Sequence, residues 1–195
     1  LLSVRTGFLQ IRKFPFARFM MASAVAAPLL MPLEVRNFLV LLWAPSRAGK
    51  TAAMAAAASI WGDYRDVMVS LNTTNVGAER LAQFHNDMPV LLDEKQHLRN
   101  PQTAAALTYL LGGGRGRLRG SKTGLQQTGR WRTVALLTGE ERLSTDAGFE
   151  GVKSRLLEVR GNPFGSDDAA AKAVYAWAGQ HYGYAGKLFI DHVRN

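Results

Sequence analysis

The chain of 195 residues contains no cysteine. That removes disulfide frames, zinc–thiolate sites and thiol nucleophiles, and a reducing interior is open to it. No apolar run reaches the ~18 residues that a bilayer-spanning helix needs. The most apolar stretch, Phe19 to Trp43, is interrupted by Pro28, Pro32, Glu34, Arg36 and Asn37. Four histidines, His85, His97, His181 and His192, show no metal-ligand spacing and no matching acids, so they read as surface or packing residues. No repeat or heptad series stands out. Acids are few: 15 Asp and Glu stand against 24 Lys and Arg, a formal charge of +9. Such an excess favours a polyanionic partner, nucleic acid before membrane.

What remains is an ordinary composition, 47% hydrophobic and 20% charged, able to fill a core. Arg12, Lys13 and Arg18 ahead of Phe19 to Met31 also fit a signal peptide. Cleavage there would leave a chain opening directly on a nucleotide motif, so the preferred reading is a packed helix ended by Pro28, in a cytoplasmic protein. The chain opens at Leu1 without methionine and stops in a helix-like stretch, and is expected to be a piece of a longer polypeptide. It divides into a helical lead-in (1–37), a core (38–160) and a C-terminal helical segment (161–195).

Helix is expected over Leu9 to Ala27. Phe38 to Trp43 reads as a strand covered on both faces, and Thr51 to Trp61 as a helix closed by Gly62 in a left-handed cap. Strand Val67 to Ser70, helix Gly77 to Asn86 and strand Pro89 to Leu92 follow. Asn100-Pro101 caps a helix that continues over Ala104 to Leu111 and stops at Gly112. Trp131 to Leu137 and Arg155 to Val159 read as strands, Asp167 as the cap of a helix to about Ala178, and Ala185 to Val193 as a last helix. Strands alternating with helices point to an α/β fold with a mainly parallel sheet.

Between the first strand and its helix stands Ala44-Pro45-Ser46-Arg47-Ala48-Gly49-Lys50-Thr51, the P-loop pattern with alanine at the first glycine position. Such a loop aims backbone N–H groups and a helix N-terminus at a phosphate chain. Gly49 admits close approach, Lys50 reaches the β- and γ-phosphates, and the Thr51 hydroxyl ligates magnesium. ATP and Mg2+ are the cofactors implied. Met88 to Glu94 (M-P-V-L-L-D-E) begins 37 residues after Thr51. It places Asp93 beside the magnesium and Glu94 where it would polarise the attacking water; a strand running into an acidic loop is the plain alternative. Thr138 ends the fourth strand and either senses the γ-phosphate or simply caps the strand. Glu140 and Glu141 read equally well as solvated acids.

The run Asn72 to Glu94, with Leu110 to Gly116, Trp131 to Glu140 and His181 to Gly186, resembles the family called domain of unknown function 927. That family occurs in phage, plasmid and mobile-element proteins, and its ATPase core resembles hexameric replicative helicases. The resemblance implies a P-loop NTPase of the additional-strand (AAA+-like) class, five-stranded and sandwiched by helices. The chain departs from the family at Ala44, at Leu71 where tryptophan is expected, and at Lys95 where a small apolar residue is usual. None of these touches Lys50, Thr51, Asp93 or Glu94. Lys153 to Val159 (K-S-R-L-L-E-V) is similar to a segment of minichromosome-maintenance helicases whose arginine reaches the neighbouring subunit's nucleotide. On that likeness Arg155 is a candidate arginine finger; a strand-edge arginine paired with Glu158 or Glu150 is the competing reading.

Gly112 to Arg132 holds six bases, Arg115, Arg117, Arg119, Lys122, Arg130 and Arg132, and no acid. Its glycines suggest a flexible loop rather than a packed element. Ring helicases place a DNA-gripping hairpin here, so these six are candidate phosphate contacts, with single-stranded DNA favoured; a solvated loop is the alternative. Aromatic residues Tyr175, Trp177, Tyr182 and Tyr184 read as core or interface. The functional expectation is an ATP-hydrolysing motor, the core of an oligomeric, ring-forming DNA helicase or translocase with no membrane association. An ATP-dependent DNA-binding assembly switch with little turnover, and a motor with a protein cargo, are the alternatives.

Overall fold

The computed structural model describes residues 2–70, 74–93, 101–117, 120–121, 124–125, 128–143 and 154–194. Two helices lead in, α1 (Leu2–Ile11) and α2 (Pro15–Ala26). The sequence suggested one helix from Leu9 to Ala27. Proline at 15 breaks it: Pro15 has no N–H to continue a helix and drives Phe14 into an extended conformation, φ −107° and ψ 99°. Strand β1 (Phe38–Trp43) leads through the 44–49 loop to α3 (Lys50–Ser59). Then come α4 (Tyr64–Val67), β2 (Met68–Ser70), α5 (Asn75–Phe84), β3 (Val90–Asp93) and α6 (Pro101–Gly113). Two short strands, β4 (Gly120–Ser121) and β5 (Gly124–Leu125), precede β6 (Val134–Gly139), β7 (Leu156–Arg160), α7 (Asp168–Ala178) and α8 (Tyr184–Arg194).

The main sheet has the order β2-β3-β6-β1-β7, and every pairing is parallel. β1 lies between β6 and β7, and its residues alternate between two cores. Val40 and Leu42 pack with α2, the alanine-rich α3 and Val174 of α7. Leu39 and Leu41 pack with Ala78 and Ala82 of α5 and Leu107 and Leu111 of α6. Helices therefore cover both faces, as a wholly parallel sheet requires. The seven consecutive buried residues Ala52 to Ala58 keep α3 slender, so α2 and α7 both approach it closely. Residues of the lead-in, the sheet and the C-terminal segment share that core. Among the described residues, no helix is long and apolar enough to cross a membrane.

Two glycines expected to end helices do other work. Gly62 keeps a negative φ, and its N–H closes a turn on Ala58 O at 3.0 Å. Gly112 lies inside α6, where a Cβ would come 2.9 Å from Cδ of Arg155. The left-handed turn falls at Gly114, φ +67°. Beyond it, described residues of the glycine-rich stretch pair with one another where a loop was expected. Arg115 and Arg130 form an antiparallel bridge, Gly116 N donates to Gly129 O at 2.9 Å, and β4 pairs antiparallel with β5. Buried Asn37 ties the base of this ribbon to the core. Its Nδ2 donates to Leu111 O (3.1 Å) and Trp131 O (3.2 Å), and its Oδ1 accepts from Thr133 N (3.3 Å). The strand expected from Trp131 consequently starts at Val134, because Trp131 belongs to the ribbon.

Candidate active site

The C-terminal ends of β1, β3 and β6 meet the N-terminus of α3 around a cavity of about 620 Å³, a volume typical of small-ligand sites. The 44–49 turn begins by joining Ala44 N to Gly139 O of β6 at 3.1 Å. Ala44 is buried and keeps a negative φ, so alanine meets the needs of the first P-loop position. The turn's left-handed residues are Arg47 (φ +63°) and Gly49 (φ +82°). At Gly49 a Cβ would also meet the Phe164 ring at 2.9 Å, so glycine is demanded twice over.

Lys50 opens α3, and its Nζ donates to Ala44 O and Pro45 O, both at 2.8 Å. Partial burial pulls its pKa below the ordinary lysine value; the carboxylates of Glu140 and then Asp93 oppose that pull. Thr51 is exposed at the cavity, and Asp93 ends β3 on its far side. β6 separates β3 from β1, and its end carries Thr138, whose hydroxyl donates to Oδ1 of Asp93. Lys50, Thr51, Asp93 and Thr138 thus line one cavity. Thr51 and Asp93 offer hard oxygen donors of the kind Mg2+ prefers. Glu94 lies outside the described residues, as do Leu71 and Lys95.

A family model described as "Domain of unknown function (DUF927)" matches residues 11–131, more than half of the chain. The chain belongs to the DUF927 family. Among solved structures it is similar to the active helicase Cch of SCCmec type IV: TM-score 0.71 and 23% identity, over 91% of this chain and 33% of that one. It therefore spans about a third of that protein, and the likeness establishes a common fold. A second similar structure is a JCV helicase bound to a thiazolopyridine acetamide, with TM-score 0.46 and 12% identity over 99% of this chain and 62% of that one. No curated protein sequence matches. The DUF927 chain shares an α/β fold with the Cch helicase, with five parallel strands between layers of helices.

Three features of this DUF927 cavity were not among the candidate site residues of the sequence. Glu140, next after β6, lies in it close enough to be the strongest electrostatic support of the Lys50 ammonium. Helix α7 lays Asp168, Ala171, Lys172 and Tyr175 along its edge, the i, i+3, i+4, i+7 spacing of one helical face. Tyr175, read from sequence as core or interface, packs on Tyr64 of α4 with ring centroids 4.7 Å apart. A hydrogen bond with Tyr64, then burial, pushes its phenol pKa up to about 12, and the Asp93 charge adds to the rise.

Arg155 lies elsewhere. It precedes β7, its carbonyl accepts from Leu39 N at 2.7 Å at the start of β1, and its side-chain stem packs on Gly112. The 44–51 turn follows the other end of β1, where Trp43 is in register with Arg160. Glu158 turns to Arg142 (3.3 Å) and to the Leu143 N–H (2.5 Å). Of the basic stretch, Arg115, Arg117 and Arg130 are exposed. Arg132 instead donates to Leu30 O (3.3 Å) and Val35 O (2.8 Å), which binds it to the lead-in. Arg119 and Lys122 lie outside the described residues.

Proposed function

We propose that this chain is the ATP-hydrolysing core of an oligomeric DNA helicase or translocase of a mobile element or phage, working in the cytoplasm. The observation that carries the reading is the pairing of Thr138 with Asp93 in the cavity that Lys50 also lines. A P-loop lysine, a strand-end carboxylate and a neighbouring-strand hydroxyl are the groups needed to grip a triphosphate and to orient water against its last phosphorus. Lys50 would exchange its two loop carbonyls for β- and γ-phosphate oxygens. Thr51 and Asp93 would hold Mg2+, which would neutralise phosphate charge. Glu94, next in chain, would polarise the attacking water, and Thr138 would keep the Asp93 carboxylate aimed.

Arg155 stands at the opposite end of the sheet from its own 44–51 turn. As an arginine finger it would therefore serve the nucleotide of an adjacent copy, and a ring would be the working form. The exposed Arg115, Arg117 and Arg130 would grip the DNA backbone without reading sequence, with Arg119 and Lys122 extending the same stretch. Arg132 is given a scaffolding role because its guanidinium serves two lead-in carbonyls. Phosphate release by the assembled protein, with and without single-stranded DNA, tests the reading. Turnover should be stimulated by DNA and abolished in Lys50→Ala. Turnover that is absent in the parent despite strong nucleotide binding would favour the assembly switch, and turnover unchanged by Lys50→Ala would reject the motor.

A further inference from the structure

Helix α5 turns Ala78 and Ala82 into the core, and on its outer side Val76, Arg80 and Phe84 recur every fourth residue. Phe84 is the extreme case. The residue is 85% exposed, and its ring meets the His85 ring edge-on at 5.2 Å and 79°. This end of α5 is locked to the basic ribbon. Gly129 backs onto Gln83, leaving so little room that a Cβ would lie 1.8 Å from the amide nitrogen. Asn86 Oδ1 accepts from Arg132 N, and Asp87 N donates to Arg132 O, both at 2.8 Å. The exposed ring and the ribbon's exposed arginines therefore belong to one rigid surface.

Among the described residues, the fully exposed charges on that surface are arginines. Arg115 and Arg130 are bridge partners, so their side chains share a face of the ribbon, and like charges directly opposite repel. Arg80 and Arg117 are exposed as well. The acids nearby are turned inward: Glu79 is buried beneath Gly116, and Asp87 is half-buried with one oxygen accepting from Asn86. A polyanion would relieve the arginine pair. A bare aromatic ring beside it adds a demand that a duplex cannot meet, because paired bases keep their faces stacked on one another. An unpaired strand offers both phosphates and open base faces.

We propose that Phe84 is a stacking platform for a base of single-stranded nucleic acid whose phosphates lie on Arg115 and Arg130. This deepens the DNA-gripping reading of the ribbon and rests on it. Binding of the full chain to an oligothymidine and to a duplex of equal length, followed by fluorescence anisotropy over a salt series, tests it. Phe84→Ala should weaken single-strand binding about tenfold, as loss of a stacked base does, with the salt slope and duplex binding unchanged. Phe84→Trp should retain single-strand affinity. Arg115→Ala with Arg130→Ala should weaken both substrates and flatten the salt dependence. Nucleotide affinity should be untouched in every variant. If Phe84→Ala binds single strands like the parent while the arginine variant does not, the stacking role falls and the ribbon's role stands. If the parent binds neither substrate, both fall. If Phe84→Ala instead lowers the assembled mass and leaves single-strand affinity intact, the ring is a contact between copies and the proposal is overturned.

Discussion

Lys50 shows how much one residue settles. Its ammonium is held by two carbonyls of its own turn, and its pKa is lowered by burial. The protonated form is the one that attracts phosphate, so nucleotide affinity should decline as pH rises toward that lowered pKa. A titration of labelled ATP binding from neutral to alkaline pH should show the decline beginning below the range of an ordinary lysine. Thr138→Val keeps the shape of a buried side chain and removes the hydrogen bond to Asp93. A hydrogen bond to a charged group contributes about 1.5–3 kcal/mol, so phosphate release should slow by roughly ten- to a hundredfold while ATP binding persists. That Lys50, Thr51, Asp93 and Thr138 line one cavity follows from their places at a strand-to-helix turn and at the ends of neighbouring strands, which the sequence pattern showed. Glu140 was ambiguous, since a carboxylate after a strand looks the same whether it meets solvent or a lysine.

At the scale of elements, local rules worked where the element was decided locally. β1 was legible from its apolar run, and α7 from Asp167, whose side chain accepts from Ala170 N at 2.9 Å. They failed where a distant segment decided. Gly112 is small because Arg155 presses on it, and α7 borders the cavity because it packs along α3, more than a hundred residues earlier in the chain. The glycine-rich ribbon looked like a loop because its order depends on Asn37, a residue far upstream. Asn37→Ala would leave Trp131 O and Thr133 N short of partners in the interior, while Leu111 O keeps the Trp131 indole N–H at 3.1 Å. Unsatisfied buried groups cost about 1–3 kcal/mol each, so urea unfolding should show a loss of about 2 kcal/mol or more. The arginines of the ribbon should then lose their fixed spacing, and DNA affinity should fall with stability.

At the scale of the molecule, the strand order sets the division of labour. Inserting β6 between β1 and β3 puts a threonine between the lysine turn and the acidic strand end, and β7 at the sheet edge carries Arg155 away from both. On the proposed reading, a chain built this way would complete its site with a second copy. Arg155→Ala should lower phosphate release by about a thousandfold or more, on the scale of arginine fingers supplied in trans, without weakening ATP binding. Mixing it with Lys50→Ala should restore part of the turnover, because a copy with an intact lysine can then sit beside a copy with an intact arginine. Two inactive variants that stay inactive together would leave Arg155 a packing residue of β7 and α6.

The central claim is that the cavity between Lys50 and Asp93 holds a magnesium–nucleoside triphosphate. Calorimetric titration of the chain with ATP, with and without Mg2+, tests it most directly. The parent should bind one nucleotide per chain, Lys50→Ala should lose that binding, and Asp93→Asn should lose its dependence on the metal. Equal affinity in the parent and in Lys50→Ala would contradict the account.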